Sequence, residues 1–197
     1  MKRLFDVLAS SIGLIVLAPA MAAIAALVKR DSPGPALFKQ ERVGRGGEPF
    51  TLLKFRSMTA TPTVAGALVT AANDARITKV GAKLRATKLD EVPQLINVLR
   101  GDMSLVGPRP EVREYVDLWS DEDRMVILSV RPGITDPATV LLRREEELLA
   151  SQSDPEKYYR QVLLPDKARL YRDYVRTQSL RGDLGLIIRT LVSIVAN

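Results

Sequence analysis

A chain of 197 residues with 46% hydrophobic and 26% charged residues is neither a disordered tail nor a bundle of many membrane spans. It has no Cys and no His, which excludes disulfides, a thiolate nucleophile, a Ser-His-Asp triad and an imidazole base. The net charge of +6 leaves nucleic acid, an anionic membrane surface and phosphorylated small molecules as partner classes, and any metal must be oxygen-ligated, such as Mg²⁺, Mn²⁺ or Ca²⁺.

From Val7 to Val28 the sequence reads VLASSIGLIVLAPAMAAIAALV, with no charged residue. That is long enough to cross a bilayer. A signal peptide or a bitopic helix would explain the stretch alone. Two features favour another form. Pro19 lacks an N–H and its ring clashes with the Ile15 carbonyl, which predicts a kink. Lys2 and Arg3 flank one end and Lys29 and Arg30 the other, so the positive-inside rule puts both ends on the cytoplasmic side. A re-entrant helix–break–helix over residues 1–30, folded back at Pro19, satisfies both. Residues 31–197 then form the cytoplasmic domain.

Asp31-Ser32-Pro33-Gly34-Pro35 is a turn. ALFKQERVG and PFTLLKFRSM, separated by glycines, read as a β-hairpin, and period 2 puts Lys54 and Arg56 on one face. Thr59 to Asn73 reads as a mobile surface loop. Ile77 to Ala86 is a short basic helix. Leu89 to Leu99 is a helix, Gly101 to Pro110 a turn-rich loop, and Glu111 to Val130 helical. Val112, Tyr115, Val116 and Trp119 fall at helical spacing there, which predicts core packing. Val130 to Asp136 is another loop. The run Arg143–Glu147 reads as a solvated helix face. Asp154-Pro155 opens a long basic helix reaching about Gln178, with a break at Pro165. The apolar tail Leu184–Ala196 fits a core helix or one lying on a membrane surface.

Two adjacent carboxylates, Asp90 and Glu91, precede Pro93, which opens an apolar helix. The positive end of the helix dipole favours their charged forms. One reading makes Asp90 a cap and Glu91 a first-turn acid. The surroundings suggest more, because Arg85, Lys88 and Arg109 lie close in sequence. Arg forks bind phosphate oxygens, Mg²⁺ is held by one or two carboxylates plus substrate phosphates, and a carboxylate can itself be a nucleophile.

KFRSM (Lys54–Met58), LDEVPQLINVLRGDMSLVGPRPE (Leu89–Glu111) and VRPGIT (Val130–Thr135) together resemble the bacterial sugar transferase family, the monotopic phosphoglycosyl transferases. The resemblance covers nearly the whole chain. It implies a UDP-sugar donor, a Mg²⁺ cofactor held at Asp90 and Glu91, and attack by Asp90 on the phosphate bearing the sugar. UMP leaves, and polyprenyl (undecaprenyl) phosphate takes the sugar 1-phosphate from the aspartyl intermediate. Arg109 would support the charge of the transferring phosphate. Lys54, Arg56, Arg85 and Arg131 would contact phosphate or nucleotide. The resemblance places the protein in the bacterial inner membrane, facing the cytoplasm, and a homodimer is left open as its assembly. After VRPGIT the sequence Asp136-Pro137-Ala138-Thr139-Val140 departs from the family pattern, in a stretch that would wall the sugar pocket. A non-catalytic scaffold is the rival reading. A nucleic-acid binder is disfavoured by the absence of recognition motifs and by 5% aromatic content. The expected fold is α/β in content, a helix-rich α+β with one small hairpin and no large parallel sheet.

Overall fold

The computed structural model describes residues 1–59, 74–142 and 145–195. Helix α1 spans Lys2–Asp31. Strands β1 (Leu37–Val43) and β2 (Pro49–Phe55) form the expected antiparallel hairpin, with Gln40 opposite Leu52. Helix α2 is Lys79–Ala86, followed by a 3₁₀ turn at Leu89–Glu91 and α3 at Gln94–Arg100. Strand β3 (Ser104–Val106), α4 (Arg113–Val116), α5 (Asp121–Ile127) and β4 (Gly133–Thr135) come next. Helices α6 (Pro137–Leu141), α7 (Glu145–Ala150), α8 (Pro155–Tyr158), α9 (Leu164–Thr177) and α10 (Leu180–Val195) complete the chain. The loop expected over Thr59–Asn73 lies outside the described residues from position 60 on, as do Arg143 and Arg144 of the charged run.

The helix-rich α+β content is as expected. Several local expectations are not met. β3 and β4 pair in parallel inside segments expected to be loops, with Ser104 opposite Gly133 and Val106 opposite Thr135. Each strand is three residues long, too short for a periodic signal. The helix expected over Leu89–Leu99 divides into the 3₁₀ turn and α3, with Pro93 as the N-cap. Pro165 does not break the last long helix. It sits in the first turn of α9, and a π turn at Tyr159–Leu163 precedes it, where the Leu164 N–H reaches back to the Tyr159 carbonyl.

The expected break at Pro19 is also absent: α1 runs helical through it. Proline removes only one N–H from a ladder whose other members persist. Thirty residues give a helix of about 45 Å measured along its path. Both of its ends dock on the domain. Near the start, the Arg3 guanidinium donates to the carbonyls of Val98 (2.6 Å) and Leu99 (3.2 Å) in the last turn of α3. The buried Asp6 carboxylate accepts from Ser104 Oγ (2.9 Å) and the Leu105 N–H (3.2 Å) on β3. Lys2 pairs with Asp183 on α10. Near the finish, Val28 packs with Phe55 and Leu84. Between them Leu8, Ile12, Ile15 and Val16 stay exposed.

The main core joins α4, α5, the π turn and α9 through Tyr115, Val116, Trp119, Ile127, Leu163 and Leu164. The Tyr and Trp set is core packing, as its spacing predicted. Asp154 caps α8 with Pro155 in the first turn, also as predicted.

Candidate active site

Three segments distant in sequence meet beside Glu91. The hairpin is tied to α3 by Asn97, a fully buried side chain that accepts from the Leu53 N–H (3.0 Å) and donates to the Thr51 carbonyl (2.7 Å) and to Asp102 (3.0 Å). This fixes Lys54 on β2 against the 3₁₀ turn. Arg109 is held by the β3–β4 pair. A Cβ on Gly133 would lie 2.1 Å from the Gly107 nitrogen, so only two glycines permit this approach. The Gly133 N–H donates to the Pro108 carbonyl at 2.9 Å and locks the turn that presents Arg109. Lys88 takes a left-handed conformation (φ 56°), the one non-glycine residue with positive φ among those described. It swings the chain from α2 into the 3₁₀ turn, a strained geometry of the kind that gathers at functional sites.

Glu91 is buried and fully engaged. Lys54 Nζ donates to its Oε1 at 3.1 Å, Arg109 Nη1 to its Oε2 at 3.4 Å, and Arg109 Nη2 to its Oε1. Burial alone would raise the Glu91 pKa, but Arg109 and then Lys54 outweigh it and hold the carboxyl well below its usual range. Burial lowers the Lys54 pKa, against the opposing pull of Glu91.

Asp90 has the opposite environment. It is 6% exposed, and its buried Oδ1 has no hydrogen-bond partner. Burial, then the Glu91 charge, raises its pKa, while Lys54, Lys88 and Arg85 favour the ionised form. Neighbouring carboxylates are thereby split into a fixed anion and an uncommitted oxygen, a pattern that assigns different roles to the two. A cavity of about 1000 Å³ is lined by Lys88, Glu91 and Arg109; Asp90, next in sequence to Glu91, is not among its lining residues.

The remaining sequence candidates divide. Arg85 lines the cavity but is paired with Glu146 at 2.6 Å, so that acid does not sit on a purely solvated face. Arg131 Nε donates to the Gly101 carbonyl at 2.7 Å and braces the turn after α3. Arg56 is not at the site. It follows the end of β2 and its buried guanidinium donates to the carbonyls of Ser32 (2.7 Å), Val28 (3.3 Å), Gly34 (3.5 Å) and Pro33. Arg56 lies one residue beyond β2, and with Leu52, Leu53 and Phe55 all buried the alternation does not separate a polar face from an apolar one there.

Among the described residues no group of three or more carboxylates is placed to hold a metal alone. The unpartnered Asp90 Oδ1 is an oxygen donor of the kind Mg²⁺ takes, and the oxygens of Glu91 are already committed. The donor set fits an ion held jointly with substrate phosphates, as Mg²⁺ commonly is.

A sequence profile described as "Bacterial sugar transferase" matches residues 1–197. The chain belongs to the bacterial sugar transferase family. One relative is the "UDP-glucose:undecaprenyl-phosphate glucose-1-phosphate transferase" of Caulobacter vibrioides, 39% identical over 98% of this chain and 69% of its own length. Another, the "UDP-N-acetylgalactosamine-undecaprenyl-phosphate N-acetylgalactosaminephosphotransferase" of Aeromonas hydrophila, is 45% identical over 71% of this chain and 34% of its own. The "Exopolysaccharide production protein ExoY" of Rhizobium meliloti is 33% identical over 98% and 84%. The chain thus spans about two thirds of the Caulobacter relative and one third of the Aeromonas one. In this bacterial sugar transferase the three blocks quoted above converge: Lys54, the Asp90–Glu91 pair, Arg109 and Gly133 are neighbours.

Sequence reasoning missed the far end of the cavity, which Arg42, Glu111, Tyr159, Lys167 and Tyr171 line. Lys167 and Tyr171 stand at i, i+4 on α9, a spacing that reads equally well as a basic surface helix.

Proposed function

We propose that the protein is a phosphoglycosyl transferase, moving a sugar 1-phosphate from a UDP-sugar to polyprenyl phosphate and releasing UMP. Family membership and the printed activities of the Caulobacter and Aeromonas relatives support the reaction class. The observation that carries the residue assignment is the buried, unpartnered Asp90 Oδ1 beside a Glu91 committed to two cations.

In this reading an Asp90 oxygen attacks the phosphorus bearing the sugar. The bond to the UMP oxygen breaks, and UMP leaves with the electron pair. A phosphoglycosyl-aspartate remains. An oxygen of polyprenyl phosphate then attacks the same phosphorus, breaks the aspartyl bond and restores the carboxylate. Neither displacement needs a general base, in keeping with a site that holds no His. Arg109, its fork held by Glu91, offers its charge and its remaining N–H groups to the transferring phosphate, and Lys54 adds positive charge. Mg²⁺, when bound, would be held at Asp90 with substrate phosphates, Glu91 staying on Lys54 and Arg109, and would neutralise phosphate charge.

The anchor fits a lipid acceptor. Both ends of α1 dock on one domain while its middle leaves apolar side chains exposed. A straight bitopic helix would separate those ends by a bilayer, so the docking favours a re-entrant or in-plane anchor at the cytoplasmic face of the plasma membrane. Leu184, Ile188, Leu191 and Val192 on α10 extend the exposed apolar surface.

The test is UMP release from a panel of UDP-sugars with Mg²⁺ and polyprenyl phosphate. Wild type should release UMP from at least one donor, and Asp90→Asn should not, while retaining its fold because the change removes a buried carboxylate that lacks a partner. Activity retained in Asp90→Asn would replace the aspartyl intermediate with direct attack by the lipid phosphate.

A further inference from the structure

Beyond Arg109 the cavity ends in a second polar cluster. Arg42 Nη1 lies 3.6 Å from Glu111. The Tyr159 hydroxyl donates to Glu111 Oε1 at 2.7 Å. Lys167 Nζ donates to Glu145 Oε1 at 2.9 Å and to the Tyr159 hydroxyl at 3.3 Å, and sits 4.8 Å from the centre of that ring. Asp136, fully buried, caps α6 through the Thr139 N–H. All of these residues line the cavity. Tyr171 lines it too, and its hydroxyl has no hydrogen-bond partner although the residue is 0% exposed.

A buried hydroxyl without a partner is destabilising in the empty protein. A buried ionic network also carries a desolvation cost that contacts within the protein do not always offset. A ligand that supplies the missing partner accounts for both. The charge balance says which ligand. Arg42 and Lys167 face Glu111, Glu145 and Asp136, so the described cluster carries no positive surplus for a second phosphate or a lipid headgroup. Alternating donors, acceptors and Tyr rings instead suit a neutral, hydroxyl-rich ring. Arg109 stands between the two ends, within the field of Glu91 first and Asp136 next. A phosphate held beside Arg109 would have this cluster within the same cavity to receive its attached group.

We infer that this cluster is the subsite for the sugar ring of the donor, with the Tyr171 hydroxyl bonded to a ring substituent. The inference rests on the proposed function. It also gives a role to the Asp136–Thr139 stretch, where the sequence departs from the family pattern.

The experiment titrates UDP-glucose, UDP-N-acetylgalactosamine and UDP into detergent-solubilised protein in the Asp90→Asn background, with and without Tyr171→Phe. UMP release by wild type is assayed in parallel. Tyr171→Phe removes only a hydroxyl the protein does not use, so its melting temperature should hold. The preferred UDP-sugar should bind more weakly by roughly two- to twelvefold, the worth of one net hydrogen bond, while UDP binding stays unchanged. Glu145→Gln, which keeps shape and an acceptor for Lys167, should alter the ratio between the two sugars. Equal weakening of UDP and UDP-sugar would assign the cluster to the nucleotide and overturn the inference. Unchanged binding of both would make it structural only. If wild type releases UMP, either result overturns this inference alone. Absence of UMP release from every donor would overturn the proposed function together with it.

Discussion

Arg56 offers a sharp test, because two readings of it predict opposite phenotypes. As a phosphate ligand its loss would raise KM and leave the fold intact. In the structure it ties residues 28–34 to the end of β2, donating to four carbonyls at the exit of α1. A cation there also complements the helix C-terminus. Gly34 (φ +120°) makes room, since a Cβ at that position would fall 2.6 Å from Arg56 Nη1. Arg56→Met keeps much of the stem and deletes the fork. Losing two well-formed charge-assisted bonds in a buried setting costs about 3 kcal/mol. For a domain of this size that is roughly 6–12 °C in melting temperature. Arg56→Lys keeps the charge but has no fork, and should recover no more than about half of that loss. The assay is thermal unfolding in detergent, paired with UMP-release kinetics. The variants should melt earlier while KM for the UDP-sugar stays within about twofold of wild type, as expected for a residue away from the cavity. An unchanged melting temperature with a KM raised about tenfold would refute the structural assignment.

Three further outcomes follow from the same geometry. The nucleophilic form of Asp90 is the carboxylate and its pKa is raised, so kcat/KM should fall as pH drops through a value above the ordinary 3.8; Glu91→Gln removes a like charge and releases Arg109 and Lys54, so the residual activity should show this limb at lower pH, and a limb that stays or rises would contradict the assignment. Asn97→Ala strands the buried Leu53 N–H and removes a part-buried bond to the Thr51 carbonyl, and chemical denaturation should show a loss of about 2–3 kcal/mol; a loss under 1 kcal/mol would mean the hairpin is held otherwise. The chain has no native Cys, so a cysteine placed before Met1 and Pro33→Cys can be probed with an impermeant reagent; both should label from one side of the membrane, and labelling from opposite sides would rule out the re-entrant anchor.

What the sequence made legible was chemistry carried by short, unusual blocks. The hairpin, the Asp154-Pro155 helix start and the apolar first helix rest on local signals, and local signals suffice for them. Asp90 and Glu91 were visible as a pair, but their division of labour was not, because it depends on Lys54 and Arg109 arriving from 37 and 18 residues away. Arg56 was misread for the same reason: sign and strand position suggested a ligand, and only the packed turn reveals four carbonyls at its fork. The β3–β4 pair is hidden in two glycine–proline loops, where three-residue strands have no period. The far cluster was invisible because Arg42, Glu111, Glu145 and Lys167 each look like an ordinary surface charge until the fold closes around them. Asp6 and Ser104 carry no mutual signal in the chain, although their bond ties the anchor to the domain.

That tie sets a schedule for biosynthesis. The residues that receive the start of α1 are made long after it: Ser104 follows Asp6 by 98 positions and Asp183 follows Lys2 by 181. At about 5–20 residues per second the second interval is roughly 10–40 s of translation. For about half of that time the apolar helix lacks the β3 face that receives Asp6, and throughout it lacks the ion pair with Asp183. Its apolar side chains are thus made before the domain that receives them, and the ion pair with Asp183 closes only once α10 has been made.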